Sequence, residues 1–281
     1  MSTVVWRVAA ASVCGVSHER TGQPCQDAQN SVVLPDGTLI AAVADGAGSA
    51  RLAEVGAAVA VRAAIEFFSA GPAEWHGHPA RESENATTER MGETPMPLGA
   101  TASQPDDEQY KAWLTKAVAA ARAAVVAEAA ARGVEPRDLA STLIVVLAQP
   151  GLVAAAQIGD GAVVVAEGGE GLCAITKPSS GEFLNETTFL TSPNADEQLQ
   201  LAFWRGAVAH LAAFTDGLQM LALQMPGGAP HAPFFAPLFR FLAGQSDEAQ
   251  ARDGLTGFLR SPRLRERADD DLTLLLATRV E

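Results

Sequence analysis

The sequence predicts an α+β fold in which two antiparallel sheets stack as a sandwich and helices cover their outer faces. Short apolar runs come consecutively and are separated by tight turns, as at residues 141–147, 153–158 and 162–165. Helix-like segments arrive in blocks between these runs rather than alternating with single strands, which argues against a doubly wound parallel sheet. Residues 41–44 are apolar at every position, the mark of a buried strand.

Taken in order, residues 4–14 are apolar and β-branched with polar interruptions at Arg7 and Ser12, and read as a first strand. Residues 15–26 form a polar loop containing Ser17, His18, Glu19 and Arg20 and ending at Asp27. Asp36-Gly37 then turns a hairpin whose second arm delivers Asp45. Residues 52–68 place apolar side chains at helical spacing, with Glu54, Arg62 and Glu66 on the opposite side. Residues 74–107 change character, with Pro79, Pro95, Pro97 and Pro105 among Glu, Thr, Ser and Gly. That composition predicts a flexible insertion within a single domain spanning residues 1–281. His76 and His78 lie inside it and read as solvated surface rather than as metal ligands.

Residues 108–132 form an alanine-rich helix stopped by Gly133. Residues 141–165 read as an antiparallel meander, followed by a strand at 172–175, a polar irregular stretch at 181–192 and a last hairpin, 199–214, turning around Gly206. A short helix at 218–223 follows. The proline-rich, aromatic stretch 230–237 precedes helices at 238–242 and 248–259, and residues 272–277 form the closing strand.

Of the 281 residues, 48% are hydrophobic, enough for a sizeable core, and the formal net charge of −13 argues against nucleic acid or an anionic membrane surface as partner. Cys14, Cys25 and Cys173 show no CxxC pairing, which suits a reducing cytoplasm, and Cys14 and Cys173 read as core residues. The start of the chain lacks a basic-then-apolar leader, and Gln149-Pro150-Gly151 breaks the one long apolar stretch, so a cytoplasmic protein is expected.

The chemistry begins where residues 41–44 end on Asp45-Gly46-Ala47-Gly48-Ser49. A carboxylate at the end of a buried strand is costly unless a cation compensates it, and the nearest base, Arg51, already opens the following helix. A metal ion is the natural partner. The construction recurs at Gly159-Asp160-Gly161 and Thr215-Asp216-Gly217, and in reverse polarity at Asp269-Asp270-Asp271 before the last strand. With Asp27 these supply an oxygen-only donor set that suits Mg²⁺ or Mn²⁺ rather than Zn²⁺. Asp36-Gly37 and Asp253-Gly254 are set apart as an ordinary turn and a turn or helix feature. A P-loop, a C-x5-R signature and a DxDx[TV] motif are all missing from the sequence.

This ordered set, Gln26-Asp27, Asp45-Gly46, Ser141-Thr142-Leu143, Gly159-Asp160-Gly161, Thr215-Asp216-Gly217 and Asp270-Asp271-Leu272-Thr273, resembles the type-2C metal-dependent serine/threonine protein phosphatases of the compact bacterial branch. The resemblance implies a four-layer αββα sandwich with two Mn²⁺ or Mg²⁺ ions in a cleft. Asp45 would bridge both ions, the Gly46 carbonyl would ligate one, and Asp216 and Asp270 the other. Asp27 would reach the pair directly or through water, and Asp160 would share a third, weaker ion with Asp216. Asp45, Asp216 and Asp270 would carry catalysis, with a metal-activated water hydrolysing phosphoserine or phosphothreonine. Asp269 and Asp271 stay outside this set as solvated neighbours.

Two positions depart from the family pattern. Gly22 stands where many relatives carry a phosphate-gripping Arg, which makes His18, or less favourably Arg20, the candidate substrate-binding residue; Gln26 stands where many have Glu. Residues Asn185-Glu186-Thr187 either shape the cleft or form a hydrogen-bonded loop. The expected partners are a phosphoprotein substrate and a serine/threonine kinase or its targets. The alternatives are a catalytically silent relative that binds phosphoprotein or regulates a kinase, and a hydrolase of small phosphorylated molecules.

Overall fold

Strands without a polar face must be covered on both sides, and this requirement produces a layered structure. A computed structural model describes residues 5–71, 105–168, 171–178 and 187–280. The chain runs β1 (Val5–Val13), α1 (Val16–Thr21), β2 (Ala28–Val33), β3 (Leu39–Ala44), α2 (Ala53–Ser69), α3 (Asp107–Arg132), β4 (Leu143–Gln149), β5 (Leu152–Ile158), β6 (Ala162–Glu167) and β7 (Gly171–Ala174). It continues β8 (Gln200–Arg205), β9 (Val208–Phe214), α4 (Gln219–Ala222), the small hairpin β10 (Leu223–Gln224) and β11 (Ala229–Pro230), α5 (Ala232–Gly244), α6 (Glu248–Leu259), α7 (Pro262–Arg265) and β12 (Leu272–Val280).

One antiparallel sheet has the order β1-β12-β9-β6-β7, the other β2-β3-β4-β5-β8. Alternation along β3 explains the layers: Ile40, Ala42 and Ala44 pack toward α2 and α3, while Leu39, Ala41 and Val43 meet Leu211, Ala213 and Leu275 between the sheets. On the far side, Phe235, Leu238, Phe239 and Leu242 of α5 and Leu255 of α6 cover the sheet containing β12. The result is the expected αββα sandwich. Helix α3 opens on an Asp106–Gln109 capping box and closes on Gly133 in the left-handed region at φ 66°. Among the described residues no helix is long and apolar enough to cross a membrane.

Several expectations change. Residues 141–165 are not a meander and residues 199–214 are not a hairpin: β5 pairs with β4 and β8, whereas β6 pairs with β7 and β9, so the chain crosses between sheets after β5 and again after β8. Strand spacing reports that two strands are consecutive, not that they share a sheet. The first crossing needs Gly159, at φ +107°, and is tied down by the buried Gln157 amide, which donates to the Gly159 and Gly161 carbonyls. Residues 15–26 are not all loop, because α1 occupies their first half. Helix α5 begins before the prolines suggested: Pro233 sits in the first turn, where an N–H is dispensable, and the buried face carries the helix through Pro237.

Cys14 is half-buried and Cys173 exposed, so neither is the core residue expected. Asp253-Gly254 lies within α6, where a Cβ on Gly254 would strike the Phe241 ring at 2.5 Å. Most of the 74–107 insertion, with His76 and His78, lies outside the described residues, as do Asn185 and Glu186.

Helix α2 seats Gly56 against the 3-10 turn Pro136–Leu139, where an added Cβ would lie 2.0 Å from the Leu139 carbonyl oxygen. Gly56→Ala is therefore expected to destabilise by about 1–3 kcal/mol. Gly257→Ala on α6, where nothing lies within 4 Å of the new Cβ, should be neutral or stabilising by up to about 1 kcal/mol. Urea unfolding midpoints of the two variants check the contrast.

Candidate metal centre

The two sheets bring their acidic strand ends to one side of the sandwich. Ala28 pairs with Ala44, so the start of β2 and the end of β3 coincide, and Leu274 pairs with Phe214, so the start of β12 and the end of β9 coincide. Asp27 and Asp45 thus come from one sheet and Asp216 and Asp270 from the other. The crossing at Gly159–Gly161 adds Asp160 between them.

Local bonds fix the Asp45 backbone and the carboxylates of Asp27 and Asp160. The Asp45 N–H donates to Thr142 Oγ1 at 2.9 Å, and the Thr142 N–H returns a bond to the Asp45 carbonyl at 2.7 Å. The adjacent Gly46 bridges to Ser141, and a Cβ there would lie 2.7 Å from the Gln26 carbonyl oxygen, which is why this position takes no larger residue. Thr215 Oγ1 donates to Asp27 Oδ2 at 2.8 Å, and Thr187 Oγ1 donates to Asp160 Oδ2 at 2.7 Å. The remaining oxygens, Asp27 Oδ1 and Asp160 Oδ1, are buried without a hydrogen-bond partner.

Asp45, Asp160 and Asp216 each offer an oxygen within 4.8 Å of the others. A cleft of about 350 Å³ opens over them, walled by His18, Gly46, Thr187, Phe189 and Asp270 as well. No Lys or Arg lines it among the described residues. Burial is the main reason the Asp45 carboxyl is held well above the usual range, with Asp27 and Asp216 adding to it. Burial also pushes Asp27 up to about 7, against the lowering influence of the neighbouring Thr273, Asp45 and Thr215 side chains. It pushes Asp216 up to about 7 too, with Asp160, Asp270 and Asp27 contributing. Oxygen-only donors, buried unpartnered oxygens and crowded carboxyls without a counter-charge fit a hard divalent cation.

Of the residues singled out by sequence, Asp45, Gly46, Asp216, Asp270 and His18 meet at the cleft, and Asp160 joins Asp45 and Asp216. Asp27 lies outside the cleft wall, and its carboxyl interacts with that of Asp45 closely enough to help raise it. Arg20 is exposed and outside the cleft wall. Gly22 is the left-handed C-cap of α1 at φ 70°, a strained conformation for an arginine, whereas α1 turns His18 toward the cleft.

Asp271 is not a solvated neighbour but a buried clamp at 2% exposure. Its Oδ1 accepts the Gly15 N–H at 2.6 Å, its Oδ2 accepts the Gln26 N–H at 2.6 Å, and His18 Nδ1 lies 3.0 Å from Oδ1. Asp271 lies just before β12, and nothing local in the sequence marks its partners Gly15 and Gln26, 256 and 245 residues away. Thr142, Thr187 and Thr215 were also unanticipated as carboxylate supports, and nothing local in the sequence marks their partners.

Comparison with known proteins gives a consistent result. The sequence pattern of the family described as "Protein phosphatase 2C" matches residues 14–260. The chain is 34% identical to serine/threonine-protein phosphatase 3 of Escherichia coli (strain K12), over 98% of this chain and 99% of that protein. Among solved structures, serine/threonine phosphatase Stp1 from Staphylococcus aureus superposes with a TM-score of 0.62 at 15% identity, covering 99% of this chain and 96% of that one. The catalytic domain of serine threonine protein phosphatase PstP, in complex with two manganese ions, does so with a TM-score of 0.59 at 18% identity, covering 99% and 100%.

Proton linkage gives a test of the centre. Without metal, Asp27 and Asp216 have folded-state values of about 7 against 3.8 for the free carboxyl, so the native state holds more protons across that window. Their contribution to stability is therefore lost as pH rises from about 4 through about 7. A cation that needs the ionised carboxylates competes with protons below about 7 and escapes that competition above it. The gain in Tm on replacing EDTA with Mn²⁺ should be small near pH 5 and grow through about pH 7, toward the equivalent of about 2.7 kcal/mol at a hundredfold excess over Kd. Thermal melts across that range check it, and a gain independent of pH would count against these carboxylates as ligands.

Proposed function

Because the chain belongs to the protein phosphatase 2C family, we propose that its acidic cleft holds two Mn²⁺ or Mg²⁺ ions on Asp45, the Gly46 carbonyl, Asp216 and Asp270. In this reading Asp27 supports the pair from behind Asp45, and Asp160 shares a third, weaker ion with Asp216. The protein is a metal-dependent serine/threonine protein phosphatase acting on phosphoproteins. The observation that carries the metal assignment is the gathering of Asp45, Asp160 and Asp216 oxygens within 4.8 Å beside a cleft that no Lys or Arg among the described residues lines. Asp45, Asp216 and Asp270 would hold the ions where, when bound, they would lower the pKa of an attacking water and offset the charge of the phosphoryl group.

The remaining work falls to the chain's own residues. His18, with Nδ1 beside Asp271, leaves Nε2 as the ring nitrogen that meets a phosphoryl oxygen, which makes it the substrate-binding residue in place of an arginine. Thr142 and Thr215 hold Asp45 and Asp27 in register at the strand ends. A cysteine nucleophile finds no support, because burial pushes the Cys14 and Cys25 thiols up. The whole-length match to a phosphatase supports reading residues 1–281 as one catalytic domain. We assign it to the cytoplasm, opposing a serine/threonine kinase on shared targets.

Phosphate release from a phosphothreonine peptide tests this reading. Turnover should require Mn²⁺ or Mg²⁺ and vanish in EDTA. Asp45→Asn should cost several kcal/mol of transition-state stabilisation, about a hundredfold or more in rate, with an unchanged circular dichroism spectrum. Full turnover in EDTA or in the variant would overturn the metal assignment, and a folded protein inactive with either ion would instead mark a silent phosphoprotein-binding relative. His18→Ala should lower kcat/KM about tenfold, whereas Arg20→Ala should leave it unchanged, and equal losses in both would remove the His18 assignment.

A further inference from the structure

Beside the acidic cleft, donor atoms of a different kind converge. Cys14 follows β1, His18 lies on α1 and Asp271 precedes β12, and one atom from each lies within 4.8 Å of the others. Asp271 is already oriented as a ligand would be, with the Gly15 and Gln26 N–H groups at 2.6 Å on its two oxygens. His18 Nδ1 is buried and 3.0 Å from Asp271 Oδ1, yet makes no aligned hydrogen bond there. Cys14 Sγ has a long contact, 3.7 Å, to the Gln23 carbonyl.

We propose that Cys14, His18 and Asp271 form a separate site for Zn²⁺, distinct from the oxygen-only centre. Sulfur and imidazole donors select zinc over Mn²⁺ and Mg²⁺, and three protein ligands leave a fourth position for water. Zinc bond lengths of about 2.0–2.3 Å set tetrahedral ligand separations of about 3.4–3.8 Å. The donor atoms lie within 4.8 Å of one another, with His18 Nδ1 3.0 Å from Asp271 Oδ1, so side-chain rotations at Cys14 and His18 of about 1 Å or less reach these separations while Asp271 stays in place. On binding, the Cys14 thiol releases its proton to solvent, and Nδ1 coordinates as neutral imidazole with its proton on Nε2. Asp271 keeps its two backbone N–H bonds and exchanges the His18 contact for the ion. One dication against one thiolate and one carboxylate leaves the site neutral.

Coordination at Nδ1 draws the His18 ring to the Cys14 side, so zinc binding and phosphate gripping compete for the same residue. This inhibitory consequence rests on the substrate-binding role of His18; the zinc site itself does not.

Cobalt is the probe, because Co²⁺ bound to thiolate gives a near-ultraviolet charge-transfer band. With Mg²⁺ in excess to fill the acidic cleft, one equivalent of Co²⁺ should produce the band and Zn²⁺ should bleach it. Cys14→Ser should abolish it, and His18→Gln should weaken cobalt binding at least tenfold. Asp45→Asn and Cys173→Ser should keep it. Absence of the band, or a band that survives Cys14→Ser, overturns the site. In the activity arm, with Mn²⁺ saturating, Zn²⁺ should slow the wild type several-fold and leave Cys14→Ser unaffected. Zinc inhibition that persists in Cys14→Ser would locate it in the acidic cleft and remove the regulatory role. A protein without phosphatase activity would refute the proposed function while leaving the cobalt result decisive.

Discussion

Carboxylates are held against one another at one end of this sandwich with no Lys or Arg among the described residues of the cleft wall to separate them. Ionised groups at such distances in a partly buried setting repel by several kcal/mol per pair. Burial alone already favours their neutral forms. Rigid anchoring is what keeps the group together. Strand β3 is buried along its whole length, between α2 and α3 on one face and the second sheet on the other, so Asp45 cannot relax away without opening two layers of core. The folded chain therefore keeps an arrangement that destabilises it in the absence of a cation, the usual sign of a site retained for function rather than stability.

A second constraint makes the site a property of both ends of the chain. The Asp271 carboxylate fastens Gly15, His18 and Gln26 to the start of β12. Ser17 adds a backbone bond to the Asp269 carbonyl, and Glu19 pairs with Arg265. These contacts place α1 over the cleft. Where two sheets supply the carboxylates of the cleft, this clamp positions the residue assigned to the substrate phosphate, and it does so with a carboxylate whose own charge is met by backbone N–H groups. Gly217 belongs to the same seam, since a Cβ there would sit 2.1 Å from the Asp271 carbonyl oxygen.

Sequence reveals the first of these constraints and hides the second. Asp45, Asp160 and Asp216 are legible because an acid that closes a largely apolar strand contradicts its surroundings, and the contradiction asks for a cation. Asp271 contradicts nothing locally. Its partners Gly15 and Gln26 lie 256 and 245 residues away, and a buried carboxylate that finds N–H donors looks in sequence like any solvated acid. The strands were legible as strands, from composition and turns, but their distribution between sheets was not. Two connections that looked like tight hairpins are crossings, because the turn at Gly206 and the turn at Gly159 say nothing about which edge the next strand meets. Prolines misplaced the start of α5 for a related reason: a helix start tolerates Pro233, and burial of Phe235 and Leu238 outweighs the break that Pro237 suggests.

The crossings explain why one architecture yields a site at one end and not the other. In each antiparallel pair the end of one strand is the start of its neighbour, so Asp27 with Asp45, and Asp216 with Asp270, are brought to the same end from opposite chain directions. Had β5 and β6 been a hairpin, Asp160 would sit on the turn of a single sheet. The crossing instead carries the chain over the seam at the end where β3 and β9 terminate, which is how Asp160 comes within 4.8 Å of Asp45 from one sheet and Asp216 from the other. The β8–β9 connection crosses at the opposite end, beside Leu152 and Glu167, and carries no acid of its own between Arg205 and Val208. The topology therefore supplies a seam at both ends, and the placement of aspartates at strand termini decides which seam gathers the carboxylates.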